Sequence, residues 1–553
     1  MLTKGWTKSL MVGMAVSLFL VGCTKNEASK APVSAEKPAN QQAAAIGEPK
    51  TGGTITVGLS EEPDQLDVQK TGLAVADIIS SNFGMGLVSQ DPQTLKFEPS
   101  LAESWQVSED GKTWTFKIRS GVTFHDGTSF TAQSYVDTVK RALDPATNAQ
   151  VAGSNLAEVQ SVSAPDATTL VLQLKEPFAP LLQYLSDPGF MQPLSLEAIN
   201  KAGNQYGRNP VGVGPWKFES WVTGQSITLA RNDAFKWPEP FYQNQGAPRP
   251  DKLVYKFISE NQTRLAALDS GSIDIATGVT AKDIQKYTNN PDFEVKEMLR
   301  NGLGLFLMTN TRKPAMQDIH VRKALNMVIN KDDLMKAVIQ GEGVPAYGPL
   351  PPNYFGYDKA VEDYGYKYDI EAAKSELEQA GWTLNSEGMR EKDGKALTFE
   401  LLSMTGVWDQ AAQVIQAMCK EIGIEIKITN LEWGTLVDTA TKGNFDLTLM
   451  GYTYNDPDVL YLFLHSSQTG GLNFSYIKDQ KLDDLLVKGR TTVDSDARKQ
   501  VYADIQKYVV EQAWWVPLYT EKQFSVVNKR VQGLIVHPLR GLGLQYYDAW
   551  VNQ

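Results

Sequence analysis

Residues that build metal and redox sites are scarce in this sequence. It holds two cysteines, Cys23 and Cys419, and four histidines, and neither a HExxH nor a CxxC motif occurs. No histidine lies within a few residues of another, so we expect no metal and no cofactor. Cys419 lies near the apolar Ile415 and Ile422 on a predicted helix, which indicates a buried, reduced thiol. Because Cys23 lies in a different kind of segment, we expect no disulfide.

The sequence also lacks a block of basic residues. Its 53 Lys and Arg face 64 Asp and Glu, which gives a net charge of −11. An acidic chain without a basic patch repels phosphate backbones, so nucleic acid is excluded as an expected partner. No GxSxG or HExxH motif is present, so we expect no enzyme, and a secreted hydrolase is a remote alternative. The length of 553 residues, 42% of them hydrophobic, predicts a globular protein of two or three domains.

The N-terminus carries the features of a secretory signal. Lys4 and Lys8 precede an apolar run, residues 10–21, that is shorter than the about 20 residues a spanning helix needs. The run ends in Leu-Val-Gly-Cys, which resembles a bacterial lipobox. We predict that residues 1–22 are a signal peptide and that Cys23 carries a lipid. The lipid would anchor the protein to the outer face of the cell membrane. If the envelope has two membranes, the anchored protein would face the periplasm. The alternative is an ordinary signal peptide with an incidental cysteine.

A polar segment separates Cys23 from the folded body. Residues 24–50 are mainly Ala, Lys, Glu, Gln, Ser and Pro, with almost no large apolar residue. Such a composition cannot bury enough surface to fold alone, so residues 23–51 are predicted to be the lipidated cysteine and a disordered tether. A flexible chain of this length spans about 30 Å root-mean-square. That reach would let the folded body dock onto a partner in the membrane.

The C-terminal half alternates between strand and helix patterns. Strands are predicted at 397–403, 423–430 and 445–452, with helices at 409–422 and 433–441 between them. This order predicts a mostly parallel sheet with helical cover, and therefore an α/β protein.

Two further patterns concern the remainder of the chain. Residues 74–87 predict one helix, and residues 515–519 and 523–528 predict two separate closing strands.

The most informative stretch is residues 101–141. An Asp-Gly turn at 110–111 precedes alternating Thr and apolar residues, so Trp114, Phe116 and Ile118 share one face of a strand. Thr131 can cap the helix that follows a second Asp-Gly turn. By their own chemistry, these residues predict only the order hairpin, turn, helix.

The amino-acid sequence of this stretch is nonetheless distinctive. It contains LAESW, DGKTWTFKIRSGVTFHDGT and a TA-x4-D-x2-KR tail. In residue type and spacing these resemble the family 5 solute-binding proteins of ABC importers, the oligopeptide/dipeptide-binding type. A second similar block, residues 209–237, holds a GxG that is no dinucleotide fingerprint, because Pro215 follows at once and no strand–turn–helix brackets it. The resemblance runs from Gly52 to the C-terminus.

The resemblance implies a two-lobed, periplasmic-binding-protein-like α/β fold (class II, cluster C), with three domains and two hinge crossovers near residues 280 and 515. Domain I and an inserted domain II would form lobe 1, and domain III would form lobe 2. The implied ranges are 52–84, 208–282 and 515–553 for domain I, 85–207 for domain II, and 283–514 for domain III.

In relatives that take peptides, a Gly-Trp pair is followed three residues later by an aspartate that holds the peptide's α-ammonium. The matching positions are Gly451, Tyr452 and Asn455, so the aspartate is absent, although Asp456 is adjacent. Either Asp456 takes the role through a shortened loop, or the ligand has no free amine there, because an unpaired buried ammonium is costly. The arginines that often bind the ligand carboxylate are also absent, since Leu449 and Ala440 occupy those positions.

Aromatic residues remain as the implied ligand wall. We predict ligand contacts for eight residues, with the last two on domain I opposite the others: Asp456, Asn455, Tyr452, Tyr454, Trp433, Trp408, Thr71 and Gly72. Such a wall suits apolar or stacked groups, with backbone contacts of the strand-addition kind.

The leading hypothesis is a lipid-anchored, extracytoplasmic receptor that captures a peptide by lobe closure and delivers it to an ABC transporter permease. The same role with a non-peptide ligand, such as a metal chelate, a glutathione-like compound, an opine or a glycoside, is the first alternative. An adhesin or chaperone lipoprotein is a remote alternative beside the hydrolase. We expect a monomer whose partners are the ligand, the permease subunits and the membrane.

Overall fold

The computed structural model describes residues 48–540 and 543–552. The predicted signal peptide, Cys23 and the tether up to residue 47 lie outside these residues. Within the described residues, no helix combines the length and apolar character needed to cross a membrane.

One long strand, Trp515–Asn528, joins the two halves of a 12-stranded sheet. Its first residues pair with strands Leu303–Thr309 and Gly343–Pro345, and its last residues pair with Ile275–Val279 and Phe293–Leu299. The prediction of two separate closing strands is wrong. The polar residues at 520–522 resemble a break in the sequence, but they stay extended because both neighbouring strands hydrogen-bond to them.

Each half of the sheet is covered on both faces. In the first half, the strands on one side of Trp515–Asn528 follow the spatial order Ile275–Val279, Thr54–Leu59, Lys252–Phe257, Ser226–Arg231 and Trp216–Val222. In the second half the order, moving away from the long strand, is Leu303–Thr309, Leu447–Tyr452, Thr398–Ser403 and Glu425–Asn430. Leu307 packs in one core cluster while its neighbours Phe306 and Met308 pack in another, so the strand is buried on both faces.

The predicted parallel unit of the second half is confirmed. Strand Thr398–Ser403 pairs in parallel with both Glu425–Asn430 and Leu447–Tyr452. Helices Val407–Lys420 and Trp433–Lys442 make the two crossovers between these strands. Cys419 lies fully buried on the first of these helices, and burial raises the pKa of its thiol to about 12, as expected for an inert thiol.

The stretch that carries the resemblance forms one side of a separate four-stranded antiparallel sheet. Its strands, in spatial order, are Ala102–Val107, Thr113–Ile118, Thr169–Leu174 and Val159–Asp166. Trp114, Phe116 and Ile118 point into the core as predicted, and helix Ala132–Leu143 covers them. Thr131 precedes that helix in an extended conformation, and the Ser134 hydroxyl accepts a hydrogen bond from its amide (3.1 Å).

His125 ties the two resembling blocks together. Its ring nitrogens lie 3.3 Å from the Gly212 amide, which donates to Nδ1, and 3.0 Å from the Gly214 carbonyl oxygen. Burial lowers the pKa of His125 to about 4, so the ring is neutral at physiological pH. A Cβ at Gly212 would lie 2.0 Å from the Phe83 carbonyl oxygen, so glycine is required for close backbone approach.

Helices surround the sheets. Those that pack with the first half of the long sheet are Ala74–Ser80, Asn261–Asp269 and Ala281–Thr288. Those near the four-stranded sheet are Ala132–Leu143, Gln150–Asn155, Leu181–Leu185 and Leu196–Ala202. The remaining helices are Pro314–Gln317, Ile319–Val328, Lys331–Ile339, Val361–Tyr364, Ile370–Gln379, Val407–Lys420, Trp433–Lys442, Val459–Leu464, Gln480–Thr491 and Ser495–Glu511.

Short elements complete the fold. The 3-10 turns are Pro145–Thr147, Gly203–Arg208 and Ser466–Gln468. The short strands are Val88–Gln90, Phe97–Pro99, Thr383–Leu384, Arg390–Lys392, Lys395–Ala396, Val531–Gln532, Ile535–Val536, Leu544–Gln545 and Trp550–Val551. The helix predicted over residues 74–87 ends at Ser80, because the chain then turns through Gly84, where a Cβ would lie 2.1 Å from the Pro188 carbonyl oxygen.

We use lobe 1 for the first half of the long sheet with the four-stranded sheet, and lobe 2 for the second half with its helices. The domain boundaries implied by the resemblance stay a prediction. The strand pairing gives a physical criterion for one of them, because Phe293–Leu299 pairs within lobe 1 and Leu303–Thr309 pairs within lobe 2. That criterion would move the start of domain III from residue 283 to the segment between these strands.

Candidate functional site

Two short crossover segments join the lobes and lie side by side. Residues 300–302 follow strand Phe293–Leu299, and residues 520–522 lie within the long strand. The amide of Arg300 donates to the carbonyl oxygen of Glu521 (2.9 Å), so the two segments are hydrogen-bonded to each other. The floor of the cleft between the lobes is therefore backbone of fixed geometry.

Gly302 lets the first crossover pass close to lobe 2. Its φ is +103°, and a Cβ there would lie 2.1 Å from the Tyr452 carbonyl oxygen and 2.5 Å from the Thr453 Cα. Both the positive φ and the contact distance require glycine. The crossover therefore lies directly against the end of strand Leu447–Tyr452.

The parallel strands of lobe 2 end at the edge that faces this floor. Ligands of open α/β sheets bind beyond the carboxyl ends of the strands, where the connecting loops converge. Here the loop after Ser403 leads to an exposed Val407 and a half-buried Trp408, and the loop after Tyr452 leads to Tyr454. The fold thus brings the two predicted ligand-wall loops to one place.

A small cavity of about 120 Å³ lies where these loops meet the crossovers. Trp408 and Gly451 line it from lobe 2, and Arg300, Tyr519 and Glu521 line it from the crossovers and the long strand. Trp408 was predicted as a ligand contact, and the structure places it at this cavity beside Gly451. The cavity can hold a small polar group against an aromatic wall.

A larger cavity of about 420 Å³ adjoins the small one and shares Val407 and Glu521 with it. Lobe 1 contributes Phe524 and Met298, among others, and lobe 2 contributes Ile339. The size falls within the range of small-molecule sites, and residues from both lobes line it. A ligand here would contact both lobes at once.

Charged side chains from the crossovers and from neighbouring elements line these two cavities. They are four cations and three carboxylates: Lys282, Lys296, Arg300 and Lys522, with Glu297, Glu342 and Glu521. Lys522 Nζ lies 3.1 Å from Glu297 and 3.6 Å from Glu342, and Arg300 Nη1 lies 2.7 Å from Glu521 Oε1. The cleft is therefore slightly cationic in an acidic protein.

The two lobes also touch at the rim of the cleft. The hydroxyls of Tyr184 on lobe 1 and Tyr454 on lobe 2 are 2.6 Å apart, and the amide of Ala179 donates to the carbonyl oxygen of Arg490 (2.8 Å). Burial raises the pKa of Tyr454, so its hydroxyl stays protonated and can donate. These bonds link the two lobes across the rim of the cleft.

Tyr452 packs behind this contact. Its ring centroid lies 6.2 Å from that of Tyr454 and 5.2 Å from that of Phe463, so one face of the ring belongs to the core of lobe 2. Its half-buried side chain leaves part of the ring available. Its role as a ligand contact, like that of Tyr454, stays a prediction.

Asp456 is paired within the protein. It is 3% exposed, and Arg498 donates to both of its carboxylate oxygens, at 2.6 Å and 2.9 Å. The neighbouring Asp458 pairs with Arg490 in the same way (3.0 Å). A bidentate guanidinium already neutralises the Asp456 carboxylate, which weighs against the predicted role as counter-charge for a ligand amine.

The other predicted contacts are more dispersed. Asn455 is half-buried beside Asp456, and Trp433 begins its helix with a side chain that is 41% exposed. The Thr71 hydroxyl donates to Asp64 Oδ1 (2.7 Å), and Gly72 faces the side chains of residues 150 and 151. Neither Trp433, Thr71 nor Gly72 lines the two cavities described above. Their predicted roles stay predictions.

Sequence reasoning missed the residues at the crossovers. Arg300, Tyr519 and Glu521 all line the small cavity, yet none belongs to a predicted ligand loop. The available signal was the charge in the short segments Arg-Asn-Gly and Thr-Glu-Lys, each between apolar strands. Their meeting in space depends on antiparallel pairing across some 220 residues, as the Arg300–Glu521 separation of 221 shows.

A third cavity, of about 70 Å³, lies within lobe 1 and has buried acids at its wall. Asp77 and Glu239 line it together with Arg540. Burial raises the pKa of Asp77 well above its usual value, and the adjacent Asp187 raises it further. Burial likewise raises the pKa values of Asp187 and Glu239. Asp77 and Asp187 therefore share a proton rather than both ionising.

No cluster of three or more His, Cys, Asp or Glu side chains within the described part of the chain is placed to hold a metal ion.

The sequence matches a known protein family over most of its folded body. The family described as bacterial extracellular solute-binding proteins, family 5 Middle, matches residues 96–473. The dipeptide-binding protein of Escherichia coli (strain K12) is 30% identical over 475 residues, which cover 81% of this chain and 85% of that protein.

Solved structures give the same result for the fold. The oligopeptide-binding protein AppA of Bacillus subtilis, in complex with a nonapeptide, aligns with a TM-score of 0.70 at 28% identity, covering 92% of this chain and 100% of AppA. The binding protein AgaA of A. tumefaciens R10, in complex with agropinic acid, aligns with a TM-score of 0.69 at 28% identity, covering 91% and 99% of the two chains. The two-lobed α/β fold is thereby confirmed.

Proposed function

The chain belongs to the bacterial extracellular solute-binding proteins of family 5, and we propose that it captures a peptide between its lobes and delivers it to the permease of an ABC importer. Members of this family are solute-binding proteins. The peptide is proposed because relatives of 28–30% identity are named as oligopeptide- and dipeptide-binding proteins.

The observation that carries the proposal is the cleft itself. Two cavities lie between lobes that touch across the rim, and both lobes contribute lining residues. A ligand that contacts both lobes favours the closed state by its differential affinity for that state. A permease that recognises the closed shape would then receive only loaded receptor.

The ligand of a transport receptor must bind tightly but reversibly. A micromolar Kd corresponds to about −8 kcal/mol of net binding free energy. Trp408 lines the small cavity beside the backbone of Gly451, and its ring offers aromatic surface for ligand side chains. Contacts of this kind depend little on side-chain identity, which suits a receptor that accepts peptides of varied sequence.

Native mass spectrometry of the purified protein tests the proposal. We expect a set of co-purified masses that correspond to short peptides and that disappear after partial unfolding and refolding. Addition of a defined peptide mixture to the stripped protein should restore bound masses and quench tryptophan fluorescence through Trp408. A stripped protein that binds no peptide from such a mixture would contradict the proposal.

A non-peptide ligand is the second candidate. The positions for an amine-binding aspartate and for carboxylate-binding arginines on lobe 2 hold Asn455, Leu449 and Ala440. AgaA, which has the same fold at 28% identity, was solved with agropinic acid. One discrete non-peptide mass in the same native spectrum, retained at high occupancy, would favour this candidate.

We also propose that the receptor is a lipid-anchored monomer outside the cytoplasm. The support is the N-terminal apolar run followed by Cys23 and a polar segment of about 27 residues up to Lys50. Metabolic labelling with a fatty-acid probe should mark the wild-type protein and leave Cys23→Ser unlabelled and released from the membrane. Equal labelling of both would contradict the anchor, and light scattering would test the monomer.

A further inference from the structure

The charged pair at the crossovers is built into the fold rather than placed on a mobile loop. Backbone hydrogen bonding sets Arg300 opposite Glu521, and the side chains then meet at 2.7 Å between Nη1 and Oε1. Both residues line the small cavity beside Trp408 and Gly451. The backbone bond therefore positions Arg300, and the bond to Glu521 orients its guanidinium.

Most of the donor capacity of Arg300 remains free. A guanidinium carries five N–H donors in a planar fork, and only Nη1 bonds to a side chain among the described residues. The Arg300 side chain is 43% exposed, and that of Glu521 is 29% exposed. A carboxylate can therefore bind the free edge of the fork in bidentate fashion without displacing Glu521.

A second donor faces the same cavity. Tyr519 lines it and is 2% exposed, and we find no hydrogen-bond partner for its hydroxyl within residues 48–540 and 543–552. The hydroxyl oxygen itself keeps some contact with solvent, so water or a ligand group can supply its partner. The Tyr519 hydroxyl therefore has hydrogen-bonding capacity available in this cavity.

The surrounding charge also favours an anion. Four cationic and three carboxylate side chains line the two connected cavities, in a protein whose net charge is −11. The lobe 2 positions that could have supplied arginines hold Ala440 and Leu449, both fully buried. In the small cavity, the guanidinium of Arg300 and the aromatic ring of Trp408 line the same space.

We propose that Arg300 binds a carboxylate of the ligand, in a peptide its C-terminal carboxylate, in the small cavity between the lobes. The Tyr519 hydroxyl donates to the same group, and Trp408 contacts the adjoining side chain. This inference rests on the proposed function for the identity of the ligand. It moves the recognition of the ligand's end from the loops of lobe 2 to the hinge.

The test compares peptides that differ only in the C-terminal group. The stripped wild-type protein and the variants Arg300→Gln and Lys442→Gln are titrated with Ala-Leu-Phe and with Ala-Leu-Phe amide by calorimetry. We expect the wild type to bind the free acid at least about tenfold more tightly than the amide, and Arg300→Gln to lose that preference. Lys442→Gln removes the same charge from an exposed helix pair with Asp438, outside both cavities, and should keep the preference.

Equal affinity of the wild type for acid and amide would overturn the inference while leaving the peptide proposal intact. If neither peptide binds, the peptide mixture tests the proposed function, and the carboxylate site is tested alone. The Arg300 Nε–H resonance, assigned by its absence in Arg300→Gln, is followed while acetate or acetamide is added. A shift with acetate and none with acetamide supports the site, and no shift with either overturns it.

Discussion

At the scale of single residues, Asp456 decides between a ligand role and a structural role. It is buried and paired with Arg498 through two hydrogen bonds. We expect Asp456→Asn to lower the free energy of unfolding in urea by about 3–5 kcal/mol, because it leaves a buried guanidinium without its counter-charge. Asp496→Asn, which removes an exposed partner of Lys499, should change it by less than about 0.5 kcal/mol.

The same variants separate the two roles. If the role of Asp456 is structural, Asp456→Asn should lower the stability, and the molecules that remain folded should keep their affinity for the ligand. Normal stability combined with lost affinity for amine-bearing ligands would instead support the predicted contact with the ligand.

The Asp77–Asp187 pair predicts a pH dependence of stability. Burial raises the pKa of both carboxyls, and the charge of Asp187 raises the pKa of Asp77 further. Their contribution to stability is therefore complete below the unfolded-state pKa and is lost as the pH rises through the folded-state pKa. Asp77→Asn cannot ionise, so its free energy of unfolding should exceed that of the wild type by about 1 kcal/mol at pH 8, and the two should converge near pH 4.

Thermal unfolding between these pH values measures this difference. Asp438→Asn, which affects an exposed helix pair with Lys442, is the matched control and should give a profile parallel to the wild type. A constant offset between Asp77→Asn and the wild type at every pH would contradict the shared proton.

Residue-level prediction succeeded where local pattern decides the outcome. Trp114, Phe116 and Ile118 alternate with polar residues, and alternation alone places them in the core. Asp456 depends on a partner 42 residues away, and Arg300 on one 221 residues away. Periodicity carries no information about such partners, so the ligand-wall prediction could not include the crossovers.

At the scale of elements, the first crossover depends on Gly302. Its φ of +103° and the 2.1 Å that would separate a Cβ from the Tyr452 carbonyl oxygen both exclude a side chain. We expect Gly302→Ala to lower the free energy of unfolding by more than about 3 kcal/mol, because strain and a backbone clash add. Gly394→Ala has φ +71° but open space around it, so it should cost about 1 kcal/mol.

Chemical unfolding monitored by tryptophan fluorescence gives both values. Equal losses for Gly302→Ala and Gly394→Ala would mean that the crossover adapts to a side chain and that close contact with lobe 2 is unnecessary.

Element boundaries failed for tertiary reasons. The helix predicted over residues 74–87 ends at Ser80 because Gly84 must approach the Pro188 backbone. The two predicted closing strands form one strand because neighbours on both sides bond to its polar middle. The parallel unit of lobe 2 was predictable, since three strands and two helices alternate within about 55 residues of sequence.

At the scale of the whole molecule, the Tyr184–Tyr454 contact links the lobes. Its loss should weaken the closed state by about 1 kcal/mol, the net value of a typical hydrogen bond. We expect Tyr454→Phe to bind its ligand about fivefold more weakly, mainly through a faster dissociation rate. Tyr461→Phe removes a hydroxyl that bonds to Ser467 within lobe 2, and it should leave the affinity unchanged.

Small-angle scattering supplies the structural readout for the same pair of variants. The ligand concentration that produces half-maximal compaction should rise for Tyr454→Phe and stay constant for Tyr461→Phe. Compaction curves that coincide for all three proteins would show that the contact does not contribute to closure.

The overall architecture was accessible from the sequence because many residues agree with one pattern, whereas the ligand depends on a few. The two-lobed α/β fold was implied by the family resemblance that some forty residues around Trp114 carry. The chemistry of the cleft depends on which few charged side chains lie next to each other, and the complete 12-stranded sheet is needed to bring them together.

The shared strand Trp515–Asn528 has a mechanical consequence. A linker of loop residues would let the lobes rotate with little resistance. Here the connection is a hydrogen-bonded strand, which must twist and bend for the cleft to open. A paired strand of this kind stores elastic energy when it is bent, and it restricts the motion of the lobes to one direction. The bending stiffness of this strand is set by the strands that pair with it on either side. It would therefore govern how quickly the receptor opens to release its ligand.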